Sequence, residues 1–212
     1  MANRLFAFDR RLGPSLVAGA DEAGRGCLAG PLVAAAVLFD YDRITTRELR
    51  TLSALDDSKS HTLAAREELY PLIIASAARV AVVSRCVRGI DGSGLHRTNL
   101  AALADASRQV TDGVDAPVLC LIDGFAVPAF GREQRAVING DSTSAAVAAA
   151  SIVAKVTRDR FMRTADERHP GWGFADHVGY STQAHREAIK VLGISPLHRI
   201  SFQSEAYSRF AL

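Results

Sequence analysis

The chain lacks the features of an extracellular, membrane-spanning or disordered protein. Its 212 residues include only Cys27, Cys86 and Cys120, and no CxxC pair. An odd number of widely spaced cysteines favours reduced thiols over a disulfide framework. Uninterrupted apolar runs fall well short of the roughly 20 residues that span a bilayer, and no apolar segment typical of a signal peptide lies near the first residue. We therefore expect a cytoplasmic protein that makes no contact with a membrane.

An excess of charge of one sign is also absent. The chain has 25 Lys and Arg against 23 Asp and Glu, and 48% of its residues are apolar. This composition is typical of a folded domain whose core needs no disulfides. The part from Lys155 onward is mildly basic and holds four of the six histidines, which fits either a nucleic-acid contact or a solvated helical face. We expect a monomer.

Apolar periodicity predicts strands that alternate with helices. The strands are expected at 17–20, 32–39, 79–85, 118–123 and 135–138. The helices are expected at 62–77, 100–110, 144–168 and 182–192. Pro71 is expected to kink or break the first of these helices. The order predicts an α/β fold with a mixed sheet in a single domain, 1–212, of which about 171–212 is a helical appendage.

Acidic residues stand at three predicted element ends. Asp21 and Glu22 follow the first strand, Asp123 ends the fourth strand, and Asp141 precedes the long alanine-rich helix. Adjacent side chains of an extended chain point to opposite faces, so Asp21 and Glu22 can share an ion only if the strand ends or bulges there. Each acid also has an ordinary alternative as a turn residue, as the partner of an arginine or as a helix cap.

A cluster of these four carboxylates would need cations. Gathered within a few ångströms, they would repel one another and raise their own pKa values. Hard oxygen ligands suit Mg²⁺ or Mn²⁺, and the lack of a Cys/His cluster disfavours zinc. Two such ions can clamp the attacking and leaving oxygens of a phosphoryl transfer.

The sequence resembles the ribonuclease HII family, the bacterial type II ribonucleases H, over nearly its whole length. The resemblance rests on these segments: GADEAGRG (19–26), AGPLVAAAV (29–37), DDSK (56–59), LIDG (121–124), GDSTSAAVAAASIVAKVTRDR (140–160), GYST (179–182) and LHRISF (197–202). The four metal-binding acids of the family fall on Asp21, Glu22, Asp123 and Asp141. Its Gly-Arg-Gly substrate motif falls on Gly24, Arg25 and Gly26, and its substrate-stacking tyrosine falls on Tyr180.

The resemblance implies a ribonuclease H-like fold, with a mixed five-stranded sheet flanked by helices and a small C-terminal helical extension that binds substrate. It implies an endonuclease that cleaves the RNA strand of RNA–DNA hybrids. It also implies nicking on the 5′ side of single ribonucleotides in duplex DNA, leaving 3′-hydroxyl and 5′-phosphate ends, with two Mg²⁺ or Mn²⁺ ions per site. We further expect phosphate contacts from a set of basic residues: Arg25, Lys59, Lys155, Arg158, His198 and Arg199.

Parts of the sequence are also compatible with other functions. A serine hydrolase would use Ser142 with Asp166 and His169, but a helix over 144–168 would hold the two ends of that set about 36 Å apart. A dinucleotide site at Gly24 and Gly26 would need a helix where the sequence predicts a strand. A protein that only binds nucleic acid, and a junction resolvase or exonuclease on the same scaffold, remain as alternatives.

Overall fold

The computed structural model describes residues 4–57, 61–128, 130–202 and 207. The helices are α1 (Arg4–Arg10), α2 (Thr46–Thr51), α3 (Leu63–Ser76), α4 (Val87–Ser93), α5 (Leu95–Thr111), α6 (Ala145–Arg168), α7 (Phe174–His177) and α8 (Gln183–Leu192). The strands are β1 (Leu16–Ala23), β2 (Leu32–Asp40), β3 (Arg79–Arg85), β4 (Val118–Asp123) and β5 (Gln134–Val137). Short 3₁₀ turns lie at Leu52–Asp57, Gly140–Ser142 and Ile200–Phe202. No helix in these ranges is long and apolar enough to cross a membrane.

The five strands form one mixed sheet in the order β3-β2-β1-β4-β5, which confirms the predicted fold class. Strand β2 is antiparallel to both of its neighbours, whereas β4 is parallel to β1 and β5. Because β1 and β4 are parallel and Ala20 pairs with Ile122, the residues after these two positions lie at the same edge of the sheet. This is the edge that carries Asp21 and Asp123.

Both faces of the sheet are buried, and successive residues of β1 and β4 alternate between them. Val17 and Leu119 belong to the apolar cluster that includes α6. Ala18 and Cys120 belong to the cluster on the other face, which includes α5. A strand buried on both faces reads as a continuous apolar run, and this explains why 118–123 carries no polar residue before Asp123.

Helix α6 packs against β1 at the distance of a backbone contact. A Cβ built on Gly19 would lie 2.1 Å from the carbonyl carbon of Ala146. The alanines in the first two turns of α6 are fully buried, and small side chains on both elements permit this approach. Ser144 caps the helix by accepting a hydrogen bond from the Val147 amide at 3.3 Å. The close contact fixes how the side chains of α6 line up along β1.

Pro71 does not break the helix predicted at 62–77, where a kink or a break is expected. Helix α3 continues through Pro71 from Leu63 to Ser76. Leu69 and Ile73, on either side of the proline, are both buried in the core cluster that contains α6. Tertiary packing of these two residues holds the halves of the helix together, although the proline donates no backbone hydrogen bond. The short helices α1, α2, α4 and α7 were not predicted, because one or two turns carry too little periodicity.

The segment after α6 folds back onto the loop between β1 and β2. Phe174 of α7 packs with Ala29 and Met162, and Ile189 of α8 packs with Leu28. The backbone of Ala29 also forms an isolated antiparallel bridge with His198. The C-terminal helices therefore lie against the loop that follows the Gly-Arg-Gly turn.

Asp9, in the last turn of α1, stabilises the beginning of α6. Its carboxylate is fully buried and accepts hydrogen bonds from the Tyr41 hydroxyl at 2.7 Å and from the Ala146 amide at 3.0 Å. Burial raises the pKa of Asp9, and these hydrogen bonds oppose the rise. An acidic side chain at a helix N-terminus satisfies amides that have no partner within the helix.

We predict that Asp9→Ala lowers the free energy of unfolding by about 2–4 kcal/mol, because it leaves a buried hydroxyl and a buried amide without an acceptor. Chemical denaturation followed by circular dichroism measures the change. Asp42→Ala removes an exposed acid and is the matched control, with an expected change within about 0.5 kcal/mol. Equal stabilities of the Asp9 variant and the wild type would contradict this role.

Candidate active site

Asp21 and Asp123 project from neighbouring strands onto the same face of the sheet. Alternation along β1 and β4 places both on the face covered by α6, and Ser151 of that helix hydrogen-bonds the Asp21 carboxylate. The Glu22 amide donates to Asp21 Oδ1 at 2.7 Å. The two acids are therefore neighbours at the end of β1 and β4, held by groups from the sheet and from α6.

Glu22 points to the opposite face, because β1 neither ends nor bulges at the two adjacent acids. Asp21 and Glu22 pair regularly with Ala35 and Ala34 of β2, and the strand ends one residue later. The Glu22 carboxylate accepts a hydrogen bond from Asn99 of α5. Its Oε1 lies 3.8 Å from Nη1 of Arg25. The two carboxylates thus straddle the edge of the sheet.

Asp141 lies in the 3₁₀ turn between β5 and α6. The first residue of this turn, Gly140, donates its amide to Asp123 Oδ1 at 2.7 Å. A Cβ on Gly140 would stand 3.1 Å from the same oxygen, so the turn approaches Asp123 closely. Asp141 is half-buried and is one residue away from this contact. The turn thus brings the fourth predicted acid to the edge of the sheet.

The electrostatics show how close the acids are. Burial, and then the charges of Glu22 and Asp123, raise the pKa of Asp21 to about 8, against the hydrogen bonds from Ser151 and the Glu22 amide. Burial also raises the pKa of Glu22, and the charge of Asp123 adds to it. Carboxylates that raise one another's pKa are stabilised in the ionised form by a bound cation.

The donor set fits a hard divalent cation. All the candidate ligands are carboxylate oxygens, which Mg²⁺ and Mn²⁺ prefer. Among the described residues, however, no three Asp, Glu, His or Cys side chains converge on one point closely enough to hold an ion. Such a site suits an ion bound by one or two carboxylates together with phosphate oxygens of a ligand, as is usual for Mg²⁺.

The Gly24-Arg25-Gly26 turn follows β1 directly, beside these acids. Gly24 has a φ of +89°, and a Cβ there would lie 1.9 Å from Nε of Arg158. Only glycine is compatible with this contact. Within the described ranges, the amides of Arg25 and Gly26 donate to no other group of the chain. The turn therefore presents backbone donors next to the carboxylates.

Two buried arginines hold the loop that follows this turn. The Arg158 guanidinium donates to the carbonyl oxygens of Pro31 at 2.9 Å, Ala29 at 3.0 Å and Val178 at 2.8 Å. Arg158 thereby connects the loop after β1 with the segment after α7. Each of its three nitrogens donates to a carbonyl, and the carbonyl dipoles stabilise the buried charge.

Arg199 binds the same loop from the other side. Its Nε and Nη2 donate to the Gly30 carbonyl at 3.0 and 2.8 Å, and its Nη1 donates to the Arg25 carbonyl at 3.1 Å. Burial, and then the charge of Arg158, lower the pKa of Arg199 to about 10. The carbonyl of Arg25 is thus directed inward, away from the exposed amide side of the turn.

These contacts correct the prediction that Arg158, Arg199 and His198 bind phosphates. The three side chains are between 0 and 2% exposed. The arginines donate to backbone carbonyls, and the His198 ring nitrogens bond Ser195 and His185. The sequence alone does not show whether a basic residue in a helix or loop is buried against the backbone or contacts a phosphate. Because they are buried, none of these three side chains faces a nucleic acid in this structure.

The other three basic residues predicted to contact phosphates are not buried in this way or lie outside the described residues. Lys155 is partly exposed, and its Nζ lies 3.4 Å from Asp159 Oδ2, so its contact with phosphate stays a prediction. The guanidinium of Arg25 is exposed beside Glu22 and lies over the ring of Phe125, 5.5 Å from its centre. Lys59 lies outside the described residues.

Tyr180 lies beside the Gly-Arg-Gly turn, although it is more than 150 residues away in sequence. The carbonyl of Gly179 accepts hydrogen bonds from the Leu28 amide at 2.8 Å and from the Ala29 amide at 3.3 Å. The Tyr180 ring is 43% exposed, and its hydroxyl contacts the buried Cys27 thiol. The structure thus joins the two predicted substrate elements on one surface.

The serine hydrolase alternative fails on geometry. Ser142 lies before the N-terminus of α6, where its hydroxyl donates to the Asn139 carbonyl at 3.0 Å. His169 is the C-terminal cap of the same 24-residue helix. The two side chains lie at opposite ends of α6, beyond the reach of a proton transfer.

Comparison with known proteins decides the family. A family model described as ribonuclease HII matches residues 18–205. The chain belongs to the ribonuclease HII family. It is therefore a ribonuclease H, a hydrolase of the endonuclease type that acts on RNA–DNA hybrids, in a metal-dependent family.

Curated relatives support the same assignment. The ribonuclease HII of Mycolicibacterium gilvum is 46% identical over 191 residues, which cover 90% of this chain and 72% of that protein. The ribonuclease HII of Rhodococcus erythropolis is 46% identical over 192 residues, covering 90% of this chain and 80% of that protein. Helix α1, with Asp9, precedes the range that the family model matches.

Solved structures show the ribonuclease H-like fold. Ribonuclease H2 of Pyrococcus horikoshii superposes with a TM-score of 0.73 at 26% identity, covering 92% of this chain and 96% of that chain. Ribonuclease HII of Archaeoglobus fulgidus, solved in complex with PCNA, gives a TM-score of 0.74 at 27% identity, covering 90% and 96%. A ribonuclease HIII crystallised with Mn²⁺ gives 0.73 at 18% identity over 95% of this chain and 71% of that chain, a likeness of fold alone.

Three residues of the site had no role in the sequence analysis. Ser151 and Asn99 hold the carboxylates of Asp21 and Glu22 from α6 and α5. Serine and asparagine inside helices carry no signal of such a role. Phe125 follows the LIDG segment of the ribonuclease HII resemblance, is 48% exposed and contacts Arg25. The one sequence signal for Phe125 was its position, as an apolar residue directly after the Asp-Gly pair that ends a strand.

We predict that Gly24→Ala destabilises the protein, because the added methyl group meets the Arg158 guanidinium and the positive φ disfavours alanine. The expected loss is about 2–3 kcal/mol of unfolding free energy. Gly26→Ala is the matched control, since a Cβ there meets nothing within 4 Å. Thermal unfolding of both variants measures the difference, and equal melting temperatures would refute the close contact.

Proposed function

We propose that the chain cleaves the RNA strand of RNA–DNA hybrids and also nicks duplex DNA on the 5′ side of a single embedded ribonucleotide. The products carry 3′-hydroxyl and 5′-phosphate ends. The observation that carries the proposal is the position of Asp21 and Asp123 on one face at the sheet edge, where β1 leads directly into the Gly-Arg-Gly turn, whose Arg25 and Gly26 amides have no acceptor among the described residues. The carboxylates of Asp21 and Asp123 are thus next to a turn whose backbone could approach a nucleotide closely.

In this proposal Asp21, Glu22, Asp123 and Asp141 hold two divalent cations, Mg²⁺ or Mn²⁺. When bound, the ions supply a nucleophilic water and stabilise charge on the leaving oxygen. Asp21 and Asp123 share one face, so they are the pair that would bind the same ion. The chain orients these ligands through neutral or weakly polar donors: Ser151 to Asp21, Asn99 to Glu22 and the Gly140 amide to Asp123.

Recognition of a ribonucleotide would use the backbone of the Gly-Arg-Gly turn. A 2′-hydroxyl donates and accepts hydrogen bonds, and it is the group that separates RNA from DNA at one position. The amides of Arg25 and Gly26 are available donors within the described residues. Arg158 and Arg199 fix the carbonyls behind them. A turn held rigidly in this way can distinguish a ribonucleotide from a deoxyribonucleotide, because its amides can hydrogen-bond the 2′-hydroxyl.

Tyr180 would stack on the deoxyribose that follows the ribonucleotide. Its half-exposed ring lies on the same surface as the turn, through the backbone contacts of Gly179. Because Tyr180 belongs to the segment after α6, we propose that 171–212 is the substrate-binding part of a single domain. Arg25 and Lys155 are the remaining described side chains of the predicted set that can approach phosphates.

Duplexes with zero, one or four consecutive ribonucleotides, incubated with Mg²⁺ or Mn²⁺, test the proposal. We expect cleavage of the two ribonucleotide-containing duplexes, on the 5′ side of the single ribonucleotide, and no product after EDTA is added. Denaturing gels with end-labelled strands locate the cut. Comparable cleavage of the all-DNA duplex would point instead to a resolvase or exonuclease, and binding without any cut would point to a binding protein.

We predict that Asp21→Asn and Asp123→Asn each lower the rate of cleavage by at least about 10³-fold, since each removes a charged ligand of the divalent cations that would stabilise the reacting phosphate. The metal-free Asp21 variant should unfold at the same temperature as the wild type or higher, because a neutral amide replaces a carboxyl whose charge burial disfavours. Asp115→Asn, at an exposed position, is the control with unchanged rate. Near-normal turnover in either variant would remove the metal assignment.

A further inference from the structure

Three buried histidines surround the turn that carries Tyr180. His177 ends α7, His185 lies in α8, and His198 lies in the loop before the last 3₁₀ turn; the first is 8% exposed and the other two at most 2%. The rings of His177 and His185 stack with centres 4.1 Å apart, and His198 lies 5.2 Å from His185. Neither the proposed metal ligands nor the recognition turn includes any of these residues.

Every ring nitrogen of the three histidines has a hydrogen-bond partner. His177 Nδ1 accepts from the Gly179 amide at 3.1 Å, and its Nε2 lies 2.7 Å from the Trp172 carbonyl. His185 Nδ1 lies 2.8 Å from the Tyr180 carbonyl, and its Nε2 lies 3.1 Å from His198 Nε2.

The last of these rings is anchored by the loop before it. His198 Nδ1 accepts from the Ser195 amide at 2.8 Å. The chain of contacts therefore runs from a backbone amide, through two imidazoles, to the carbonyl of Tyr180. The third imidazole, that of His177, accepts from the amide of Gly179, the residue just before Tyr180.

These partners determine which nitrogen of each ring carries the proton. An amide can only donate, so His198 Nδ1 and His177 Nδ1 are unprotonated. A carbonyl can only accept, so His185 Nδ1 and His177 Nε2 carry hydrogens. His198 must then donate from Nε2 to the bare Nε2 of His185. All three rings are neutral in this arrangement. A further proton on His177 Nδ1 would meet the Gly179 amide, and one on His185 Nε2 would meet the hydrogen on His198 Nε2, whereas His198 Nδ1 faces both the amide and the hydroxyl of Ser195.

We propose that His177, His185 and His198 are positioning residues that, in their neutral form, hold the Gly179–Tyr180 turn against the loop after the Gly-Arg-Gly motif. His177 binds the amide of Gly179 and His185 binds the carbonyl of Tyr180, so the turn is held on both sides. The carbonyl of Gly179 continues the connection to Leu28 and Ala29. The functional part of this inference rests on the role of Tyr180 in the proposed function.

The surroundings disfavour an imidazolium. Burial first, and then the charges of the neighbouring histidines, lower the pKa of His185 and of His198 to about 4, against the hydrogen bonds with Tyr180 and Ser195. The titratable and charged groups on the elements packed around the rings include Arg158 and Asp166 of α6, Asp176 of α7, Arg186, Glu187 and Lys190 of α8, His169, Arg199 and Tyr207. None of these, among the described residues, forms an ion pair or a hydrogen bond with a ring of the three.

The sign of the pH effect follows. Since the folded pKa of His185 and His198 lies below the ordinary value of about 6.5, the unfolded state binds protons that the folded state refuses. The stability of this region is therefore complete above pH 6.5 and is lost as the pH falls toward 4. Protonation of His185 breaks its hydrogen bond with His198 first, because two Nε2–H donors then face each other.

Long-range ¹H–¹⁵N spectra of the whole protein, labelled on histidine, test the arrangement directly. We expect the Nδ1–H tautomer for one buried histidine and the Nε2–H tautomer for two, with midpoints at least one pH unit below 6.5 for His185 and His198. Trp172, the only tryptophan, contacts His198 at 6.5 Å between ring centres, so its fluorescence should change over the same range. Ordinary titration near 6.5, or the reversed tautomers, would overturn the proposal whatever the substrate is.

Kinetics of the single-ribonucleotide duplex test the functional part. His177→Asn keeps an acceptor for the Gly179 amide and should retain KM, whereas His177→Ala should raise KM about tenfold, the size of one lost stacking contact. In each variant kcat should stay within about twofold. His177→Ala combined with Tyr180→Ala should be no worse than Tyr180→Ala alone, because both remove the same contact.

His169→Ala is the matched control, since this ring also faces Trp172 but hydrogen-bonds nothing in 177–180 among the described residues. Additive losses in the double variant, or equal KM in the Asn and Ala variants of His177, would overturn the positioning role. If Tyr180→Ala leaves KM unchanged, the stacking part of the proposed function fails, while the tautomers still decide the arrangement of the histidines.

Discussion

The position of α6 along β1 is the constraint on which the site depends. Gly19 has no side chain, and this allows the backbone of β1 to touch the backbone of α6 at Ala146. With that contact fixed and the two elements running side by side, Ser151 meets Asp21, and Arg158 meets Gly24 further along. A methyl group at the first contact would shift the whole helix, because packed elements move as units rather than residue by residue. One missing side chain thus sets the alignment of the acids, of the recognition turn and of the arginine behind it.

The two buried arginines beside the recognition turn have partners of one kind. Arg158 and Arg199 donate to carbonyl oxygens, and these bonds join three segments that are distant in sequence. The histidines beside them are neutral and exchange single hydrogen bonds with amides and carbonyls. Replacing a guanidinium by an imidazole would leave carbonyls without donors, and the reverse would place a charge where donors already face it. The two kinds of residue are therefore not interchangeable, although both are basic.

The sequence carried the fold and the acidic ligands better than it carried their surroundings. Apolar runs and strand-end acids were enough to predict the five strands and to single out Asp21, Glu22 and Asp123. Whether the strand ended at Asp21 could not be decided, because alternation predicts opposite faces only if the pairing stays regular, as it does here. Arg158, Arg199 and His198 were misassigned to phosphates, since burial of a basic residue depends on contacts between distant segments. Asn99 and Ser151 carried no signal, because their types are ordinary in helices.

The acidic cluster also explains why the scaffold is anchored so firmly. Burial and mutual repulsion disfavour the ionised form of Asp21, so in the absence of a cation the site destabilises the fold. Helix α6, which forms one wall of the site, is held at its beginning by Asp9 and further along by the ion pairs of Arg160 and Arg163 with Glu67 of α3. None of these contacts involves Asp21, Glu22, Asp123 or Asp141. A rigid wall keeps the carboxylates close despite their repulsion, and this proximity is what makes the site attractive to a divalent ion.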